Sequence, residues 1–224
     1  MTAPRTPAVE AVGLEVRRAD RVVVQRLDLR VPAGSMVAVT GPSGSGKSTL
    51  LGALAGVERP TSGTVSVDGS EIADRDTAAA LGVMYLPQAG SLVSTLSAAE
   101  NVVVALLAHG VASKEAAGRA REALALVGLE DERTHLSEEL SGGQQQRAAL
   151  AVMLALRPRV LLLDEPTSEL DAVNRQRVLA TLGDQASAGV AVVIATHDPD
   201  AAAPADAELR MDDGAATWVR SPGR

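Results

Sequence analysis

A glycine-rich segment in the first quarter of the chain limits the possible folds more than any other feature. Residues 41–49 read Gly-Pro-Ser-Gly-Ser-Gly-Lys-Ser-Thr and directly follow the apolar run at residues 36–39. Glycines let the backbone curl so that successive N–H groups face an anion, and a helix that begins within the segment adds its positive dipole end. We therefore predict a nucleotide phosphate-binding loop formed by Gly41, Pro42, Ser43, Gly44, Ser45, Gly46, Lys47, Ser48 and Thr49.

Two side chains at the end of this loop would complete the phosphate site. Lys47 is expected to reach the β- and γ-phosphates, and the Ser48 hydroxyl is expected to coordinate Mg²⁺. The alternative interpretation is a flexible glycine- and serine-rich loop. The glycine-rich segment lies between an apolar strand and a helical pattern over residues 50–56, and this position favours the phosphate site.

Composition argues against several other classes of function. The 224 residues include no cysteine, which excludes disulfides, thiolate metal sites and cysteine nucleophiles. The net charge is −7 and no basic run is present, so nucleic acid is not expected as the main ligand. Aromatic residues make up only 1% of the chain, which predicts a core of Val, Leu and Ala.

The sequence contains no segment that we expect to enter a membrane. Its first residues lack the apolar stretch of a secretory signal, and the longest apolar run, residues 148–156, is far too short to span a bilayer. We therefore expect an unexported, soluble chain, and any role at a membrane would require a partner.

Hydrophobic patterning predicts an α/β fold with antiparallel strands at its start and a helical insertion. The expected strands cover residues 9–16, 21–31, 36–39, 64–67, 81–86, 160–163 and 190–195. The expected helices cover residues 50–56, 101–108, 113–127, 145–156 and 172–186. A capping box of Ser97 and Glu100 is predicted ahead of the first inserted helix.

Two carboxylates follow the apolar run at residues 160–163. This pattern is typical of a buried parallel strand that presents acids at its carboxyl end. We predict that Asp164 binds the Mg²⁺ ion that Ser48 also holds, and that Glu165 acts on the attacking water as general base or orienter. The alternative is an acidic strand end with a capping role only.

A second segment suited to anions is Leu-Ser-Gly-Gly-Gln at residues 140–144, ahead of a helical pattern. A serine and two glycines at a helix start leave N–H groups near a positive dipole end. The chain either binds two anions or uses this segment to close over a nucleotide held by another copy. A plain serine N-cap is the simpler alternative.

Two further polar residues follow predicted strands. His197 comes just after the strand at residues 190–195 and could donate to the γ-phosphate. Gln88 comes after the strand at residues 81–86 and could complete the shell of Mg²⁺ or of the attacking water. Each is weak evidence when taken alone, because an isolated histidine is more often a turn residue.

Together these motifs resemble the nucleotide-binding subunits of ABC transporters over about residues 9–214. Five motifs occur in the family's order: the Walker A loop at residues 41–49, the Q-loop Gln88, the signature at residues 140–144, the Walker B acids Asp164 and Glu165, and the switch His197. Residues 168–171 resemble the D-loop, which ends at Asp171. The resemblance implies catalytic roles for Lys47, Gln88, Glu165 and His197, with Mg²⁺ bound by Ser48, Gln88 and Asp164.

The resemblance also implies an architecture and an assembly. It implies a single ABC ATPase domain over residues 1–224 with a P-loop NTPase fold. A RecA-like core with an N-terminal antiparallel β subdomain would cover residues 9–90 and 158–214, and a helical subdomain residues 91–157. A head-to-tail homodimer, or a pair with another ATPase subunit, would bind two ATP molecules. Each ATP would lie between one chain's Walker A loop and the other chain's Ser141, Gly142, Gly143 and Gln144, with Asp171 at the interface.

Such a subunit would hydrolyse ATP to power transport while bound to an integral membrane permease on the cytoplasmic face of the membrane. The helical subdomain and residues 89–95 would receive the permease. The amino-acid sequence at residues 96–102, 140–147 and 195–199 is similar to that of ATPases of the lipoprotein-release and macrolide-export type.

Two positions depart from the family's usual pattern. Arg18 occupies the place where an aromatic residue usually stacks on adenine, and its guanidinium plane could substitute with weaker base selectivity. In the helix after the signature, Ala-Val-Met at residues 151–153 replaces the more usual Ala-Arg-Ala. All hydrolytic positions are present, which implies an active ATPase.

Three alternatives were weighed against this interpretation. A GTPase would need a guanine-reading Asn-Lys-x-Asp motif, which is absent. ABC ATPases of DNA repair, translation or chromosome structure usually carry two ATPase halves, coiled coils or zinc fingers, and this chain shows none of these patterns. A subunit whose ATP-driven dimerisation regulates a membrane partner without transport stays open.

Overall fold

The structure, a computed structural model, describes residues 7–88 and 92–221. Within these ranges its strands are β1 (Pro7–Arg18), β2 (Arg21–Pro32), β3 (Met36–Thr40), β4 (Ser62–Val67), β5 (Ser70–Glu71), β6 (Val83–Leu86), β7 (Val160–Asp164), β8 (Ala191–Thr196), β9 (Ala207–Asp212) and β10 (Ala215–Arg220). The helices are α1 (Lys47–Leu54), α2 (Arg75–Ala80), α3 (Ala98–Ala108), α4 (Ser113–Leu126), α5 (Gly142–Ala155), α6 (Ala172–Ser187) and α7 (Pro199–Ala202).

The strand that precedes the glycine-rich loop lies inside a six-stranded sheet of order β10-β9-β3-β8-β7-β6. All pairs are parallel except β9 with β10. Thr40 pairs with Thr196, and Asp164 pairs with Ala195, so β3, β7 and β8 end at the same level. Because functional groups of parallel sheets gather at the carboxyl ends of strands, this register brings the predicted motifs to one edge.

A second sheet contains the N-terminal strands in the order β2-β1-β4-β5. Its neighbouring strands are antiparallel. Leu14, Leu29 and Val65 are buried on this sheet and belong to the same core cluster as the helix α1 side chains Leu50 and Leu54. That cluster contains only Ala, Val, Leu, Ile and Met, as the composition predicted.

The chain divides into two compact units. The first comprises the chain up to Pro87, Arg159–Glu165 and the chain from Leu182 onward, and it contains both sheets. The second comprises Gln88–Pro158 and Pro166–Thr181. Helices α3, α4 and α5 pack together in the second unit. The capping box predicted at Ser97 and Glu100 is confirmed at the start of α3.

The structure differs from the predicted secondary structure in several places. Helix α2 was missed although Asp74 caps it by accepting a hydrogen bond from the Thr77 N–H. The strand expected at residues 81–86 begins only at Val83, since Gly82 adopts a positive φ of 82° after that helix. Helix α5 begins at Gly142 rather than at residue 145, because Ser141 is its N-cap.

Candidate nucleotide-binding site

The glycine-rich loop connects β3 to α1 and is packed tightly from behind. Gly41 and Gly46 have positive φ angles of 142° and 105°. A Cβ atom on Gly41 would lie 2.1 Å from the Met211 carbonyl oxygen, and one on Gly46 would lie 2.4 Å from the Val23 carbonyl oxygen. These positions therefore require glycine for packing as well as for backbone conformation.

The turn between β9 and β10 supports the same loop. The Gly214 N–H donates to the Ser45 carbonyl oxygen at 3.0 Å, and the Gly214 carbonyl accepts from the Gln25 N–H at 2.8 Å. The loop is thus fixed to β2 and to the β9–β10 hairpin by main-chain contacts.

Lys47 directs its ammonium group into the loop. Its Nζ donates to the carbonyl oxygens of Gly41 at 2.8 Å and Pro42 at 3.0 Å. The residue is buried, and a buried cation requires such partners. The first turn of α1 thus holds a positive charge inside the loop where the sequence predicts phosphate.

Asp164 ends β7 as a buried carboxylate that is only 4% exposed. Its Oδ1 atom lacks a hydrogen-bond partner among the described residues. Burial raises the pKa of Asp164 and the Glu165 charge adds to that rise, while a hydrogen bond with the Ser48 side chain and the Lys47 charge act in the opposite direction. An unpaired carboxylate oxygen beside a serine hydroxyl has the chemistry of a Mg²⁺ site.

The protein would supply only part of a metal shell. Across residues 7–88 and 92–221 we find no group of three or more His, Asp or Glu side chains that could hold a metal ion. A Mg²⁺ ion bound by one or two protein oxygens completes its octahedron with water and nucleotide phosphate. Ser48 and Asp164 fit that arrangement.

Glu165 is constrained in both its backbone and its side chain. It adopts a positive φ of 50°, a conformation that is costly for a non-glycine residue and recurs at functional sites. Its Oε1 accepts hydrogen bonds from the His197 N–H at 3.1 Å and lies 2.7 Å from His197 Nδ1. Its Oε2 accepts from the Thr196 hydroxyl at 3.2 Å. The end of β8 therefore fixes both carboxylate oxygens.

The segment at residues 140–144 forms a helix cap in the second unit. Ser141 Oγ accepts from the Gln144 N–H at 3.3 Å, and Gln144 Oε1 accepts from the Ser141 N–H at 2.9 Å. A Cβ atom on Gly143 would lie 2.7 Å from the Glu169 carbonyl oxygen. The N-cap role that the sequence allowed for Ser141 is thus present, and the role of this segment toward a nucleotide stays a prediction.

Residues 24–168 match the family model described as ABC transporter. The chain belongs to the ABC transporter family. It is 43% identical over 203 residues to the lipoprotein-releasing system ATP-binding protein LolD of Chromohalobacter salexigens, a match that spans 87% of this chain and 85% of that protein. It is 44% identical over 195 residues to the Fe(3+) ions import ATP-binding protein FbpC 1 of Rhizobium meliloti, covering 84% of this chain and 54% of that protein.

A solved structure supports the same assignment. The dimeric ATP-binding cassette MJ0796, in a post-hydrolysis state bound to ADP and Pi, superposes with a TM-score of 0.86 at 29% identity and covers 95% of this chain and 99% of that one. The predicted fold, with an antiparallel β subdomain and a parallel core sheet, is confirmed. The chain is the ATP-binding subunit of an ABC transporter and an ATPase.

The first unit of this ABC ATPase brings together five predicted site residues. Lys47 and Ser48 begin α1, Asp164 ends β7, Glu165 follows it directly, and His197 follows β8. Sequence reasoning missed Thr196 as a partner of Glu165, because a threonine at the end of an apolar strand carries no chemical signal by itself.

Two other predicted site residues, Asp171 and Arg18, have side-chain partners in the structure. Asp171 accepts from the Asn174 N–H and Nδ2, both at 2.8 Å, and the first of these bonds is the main reason why its pKa lies below the ordinary value. Arg18 forms an exposed ion pair with Glu58. Gln88 is exposed at the end of the first described range. The expected docking segment at residues 89–95 lies outside the described residues at positions 89–91.

Among the residues that the structure describes, we see no helix long and apolar enough to cross a membrane.

Proposed function

We propose that this ATPase works as an ATP-driven, head-to-tail homodimer that powers an integral membrane permease of the lipoprotein-release or macrolide-export type. The observation that carries the proposal is the group formed by Lys47, Asp164, Glu165 and His197 in the first unit. Glu165 is held on both oxygens by Thr196 and His197, directly after Asp164.

The ATP phosphates would bind in the loop at residues 41–49. Lys47 Nζ would turn from the carbonyls of Gly41 and Pro42 to the β- and γ-phosphates, which are stronger charged partners for it. Ser48 and Asp164 would hold Mg²⁺, which neutralises developing phosphate charge when bound. Glu165 would orient the attacking water and accept its proton, and His197 would stay within reach of the γ-phosphate.

A second copy of the chain would complete each site. The signature segment in the second unit presents Ser141, Gly142 and Gly143 at the start of α5, where N–H groups and the helix dipole favour an anion. Closing this segment over ATP held by the partner would make nucleotide binding drive association, and hydrolysis would release it. MJ0796, whose described form is dimeric, supports assembly as a dimer.

Exposed apolar side chains in the second unit support a permease-docking surface. Val93, Val104 and Leu107 are 51%, 50% and 43% exposed. A contiguous patch of such groups would mark an interaction site. The LolD relative suggests lipoprotein cargo, and the docked ATPase would then sit on the cytoplasmic face of the membrane.

The proposal is tested by affinity purification of Glu165→Gln from gently solubilised native membranes in Mg-ATP. The variant should trap the closed dimer because it binds ATP without hydrolysing it. A polytopic membrane protein should accompany it in stoichiometric amount. Lys47→Ala, which lacks the phosphate contact, is the matched control and should recover less of that partner.

Recovery of soluble proteins or nucleic acid alone would overturn the transport assignment. If a membrane partner is recovered, reconstituting both in vesicles with candidate lipoprotein or drug cargo separates transport from regulation. ATP hydrolysis without cargo movement would favour a regulatory subunit.

A further inference from the structure

Asn101, on α3 in the second unit, is a buried polar side chain that the nucleotide site does not use. It is 7% exposed. Its Oδ1 accepts from the Val93 N–H at 2.8 Å, and its Nδ2 donates toward the Val93 carbonyl at 3.1 Å. The amide therefore holds the main chain of the segment ahead of α3, where we expect the permease to dock.

The same amide group reaches a second segment that is distant in sequence. Asn101 Nδ2 lies 2.9 Å from Ser137 Oγ. Ser137 is itself buried, and both its hydroxyl and its N–H donate to the Leu96 carbonyl, at 3.0 Å and 2.9 Å. The Glu138 N–H adds a bond to the Ser94 carbonyl at 3.3 Å. Residues 92–97 and 136–138 are thus joined by a polar network whose centre, at Asn101 and Ser137, is buried.

Hydrogen bonds hold the short stretch between Ser137 and Ser141, the serine of the signature segment. Ser137–Glu139 form a short 3₁₀ turn. The Leu136 N–H donates to Glu139 Oε2 at 2.8 Å, and Gln145 Nε2 donates to the Leu140 carbonyl at 3.0 Å. Ser141 follows directly as the N-cap of α5. Three residues lie between Ser137 and Ser141, and each donates a main-chain hydrogen bond, so we expect a displacement of Ser137 to move Ser141.

One asparagine amide contacts both segments, and an apolar side chain in its place would remove the acceptor of the Val93 N–H and a donor to the buried Ser137 hydroxyl. We propose that Asn101 is a positioning residue that makes residues 92–97 and residues 136–141 move together, so that docking at the first segment sets the placement of Ser141. This inference rests on the proposed function for the roles of the two segments, while the mechanical link between them is independent of it.

Hydrogen–deuterium exchange of the full chain tests the link directly. Asn101→Ala should raise amide exchange about tenfold both at residues 92–98 and at residues 136–145, because both lose a buried partner. The milder variant Ser137→Ala should also raise exchange at residues 92–98, which lie about forty positions earlier in the sequence.

Thr181→Val is the matched control in the same unit. Thr181 is also buried, and its hydroxyl donates to the carbonyls of Arg177 at 3.0 Å and Leu126 at 3.3 Å. This variant should raise exchange near those residues and leave residues 92–98 and 136–145 unchanged. Unchanged exchange at residues 136–145 in Asn101→Ala, or at residues 92–98 in Ser137→Ala, would overturn the link.

ATP-driven dimerisation, measured by sedimentation in a Glu165→Gln background, tests the consequence. Asn101→Ala should weaken dimerisation about tenfold while leaving the ATP affinity of the single chain unchanged, because the phosphate loop belongs to the first unit. Thr181→Val should dimerise normally. If amide exchange rises in both segments as expected but Asn101→Ala dimerises normally, the positioning role is overturned. Failure of Glu165→Gln itself to dimerise would count against the proposed homodimer and against this role for Asn101, whereas the exchange result would still decide the link.

Discussion

His197 contacts Glu165 twice, through its Nδ1 at 2.7 Å and through its main-chain N–H at 3.1 Å, and both contacts reach Oε1. The histidine side chain is 66% exposed whereas that of Glu165 is 9% exposed. An accessible imidazole therefore anchors a nearly buried carboxylate.

Glu165→Gln should retain ATP affinity and lose about 10²- to 10⁴-fold in kcat, the usual contribution of a general base. His197→Ala should lower kcat by about 10²-fold, because the carboxylate loses one anchor and the γ-phosphate a donor. Steady-state kinetics and calorimetric ATP titration measure both variants. A wild-type kcat for Glu165→Gln would remove it from the mechanism.

Asp164→Asn should abolish the increase in ATP affinity that Mg²⁺ produces. In metal-free buffer at neutral pH the variant should melt at the same temperature as the wild type or higher, because burial raises the pKa of Asp164 and so disfavours its charged form. ATP titrations with and without Mg²⁺, together with thermal unfolding in EDTA, check these outcomes. Equal Mg²⁺ enhancement in variant and wild type would contradict the metal site.

Arg18→Tyr should tighten ATP binding and increase the preference for ATP over GTP. An aromatic ring stacked on a base contributes about 1–3 kcal/mol, or about 5- to 160-fold in affinity. In the structure Arg18 is paired with Glu58, which competes with stacking on a base. Arg18→Ala is the control and should bind both nucleotides no more tightly than the wild type. Equal affinities for Arg18→Tyr and Arg18→Ala would show that the base does not reach this position.

Glu100→Ala should lower the melting temperature at pH 7 and have little effect at low pH. The Ser97 N–H and then the Ser97 hydroxyl hold the pKa of Glu100 below its ordinary value of 4.5. The contribution of this carboxylate is therefore fully present above that ordinary value and is lost as the pH falls through the lowered pKa. Thermal unfolding from pH 7 to pH 3 measures the difference in melting temperature between variant and wild type.

Glu122→Ala, on the exposed surface of α4, is the control for this comparison and should show almost no gap at any pH. A gap for Glu100→Ala that stays constant with pH would show that the charge of the carboxylate does not stabilise α3.

The features predicted from sequence were those that local chemistry determines. The phosphate loop at residues 41–49, the acids that end β7 and the box formed by Ser97 and Glu100 each place the required residue types within a few positions. Such spacing constrains the backbone and the charge directly.

The features that sequence reasoning missed depend on strand register. Glu165 and His197 are 32 positions apart, and they meet only because β7 and β8 pair in parallel with Asp164 opposite Ala195. The same register places the Thr196 hydroxyl beside the Glu165 carboxylate. Helix α2 was missed for a different reason: it has only 6 residues, too few for a helical period to stand out.

The support of the phosphate loop also determines when the nucleotide site can form during synthesis of the chain. The loop is made early, yet β3 lies between β8 and β9, and Gly41 and Ser45 rest on Met211 and Gly214. On the ribosome, a nascent chain that stops before residue 207 lacks one of the two strands that flank β3. Nucleotide binding is therefore expected only after synthesis has passed β9 and Gly214, and a product that ends before residue 207 should not compete for ATP.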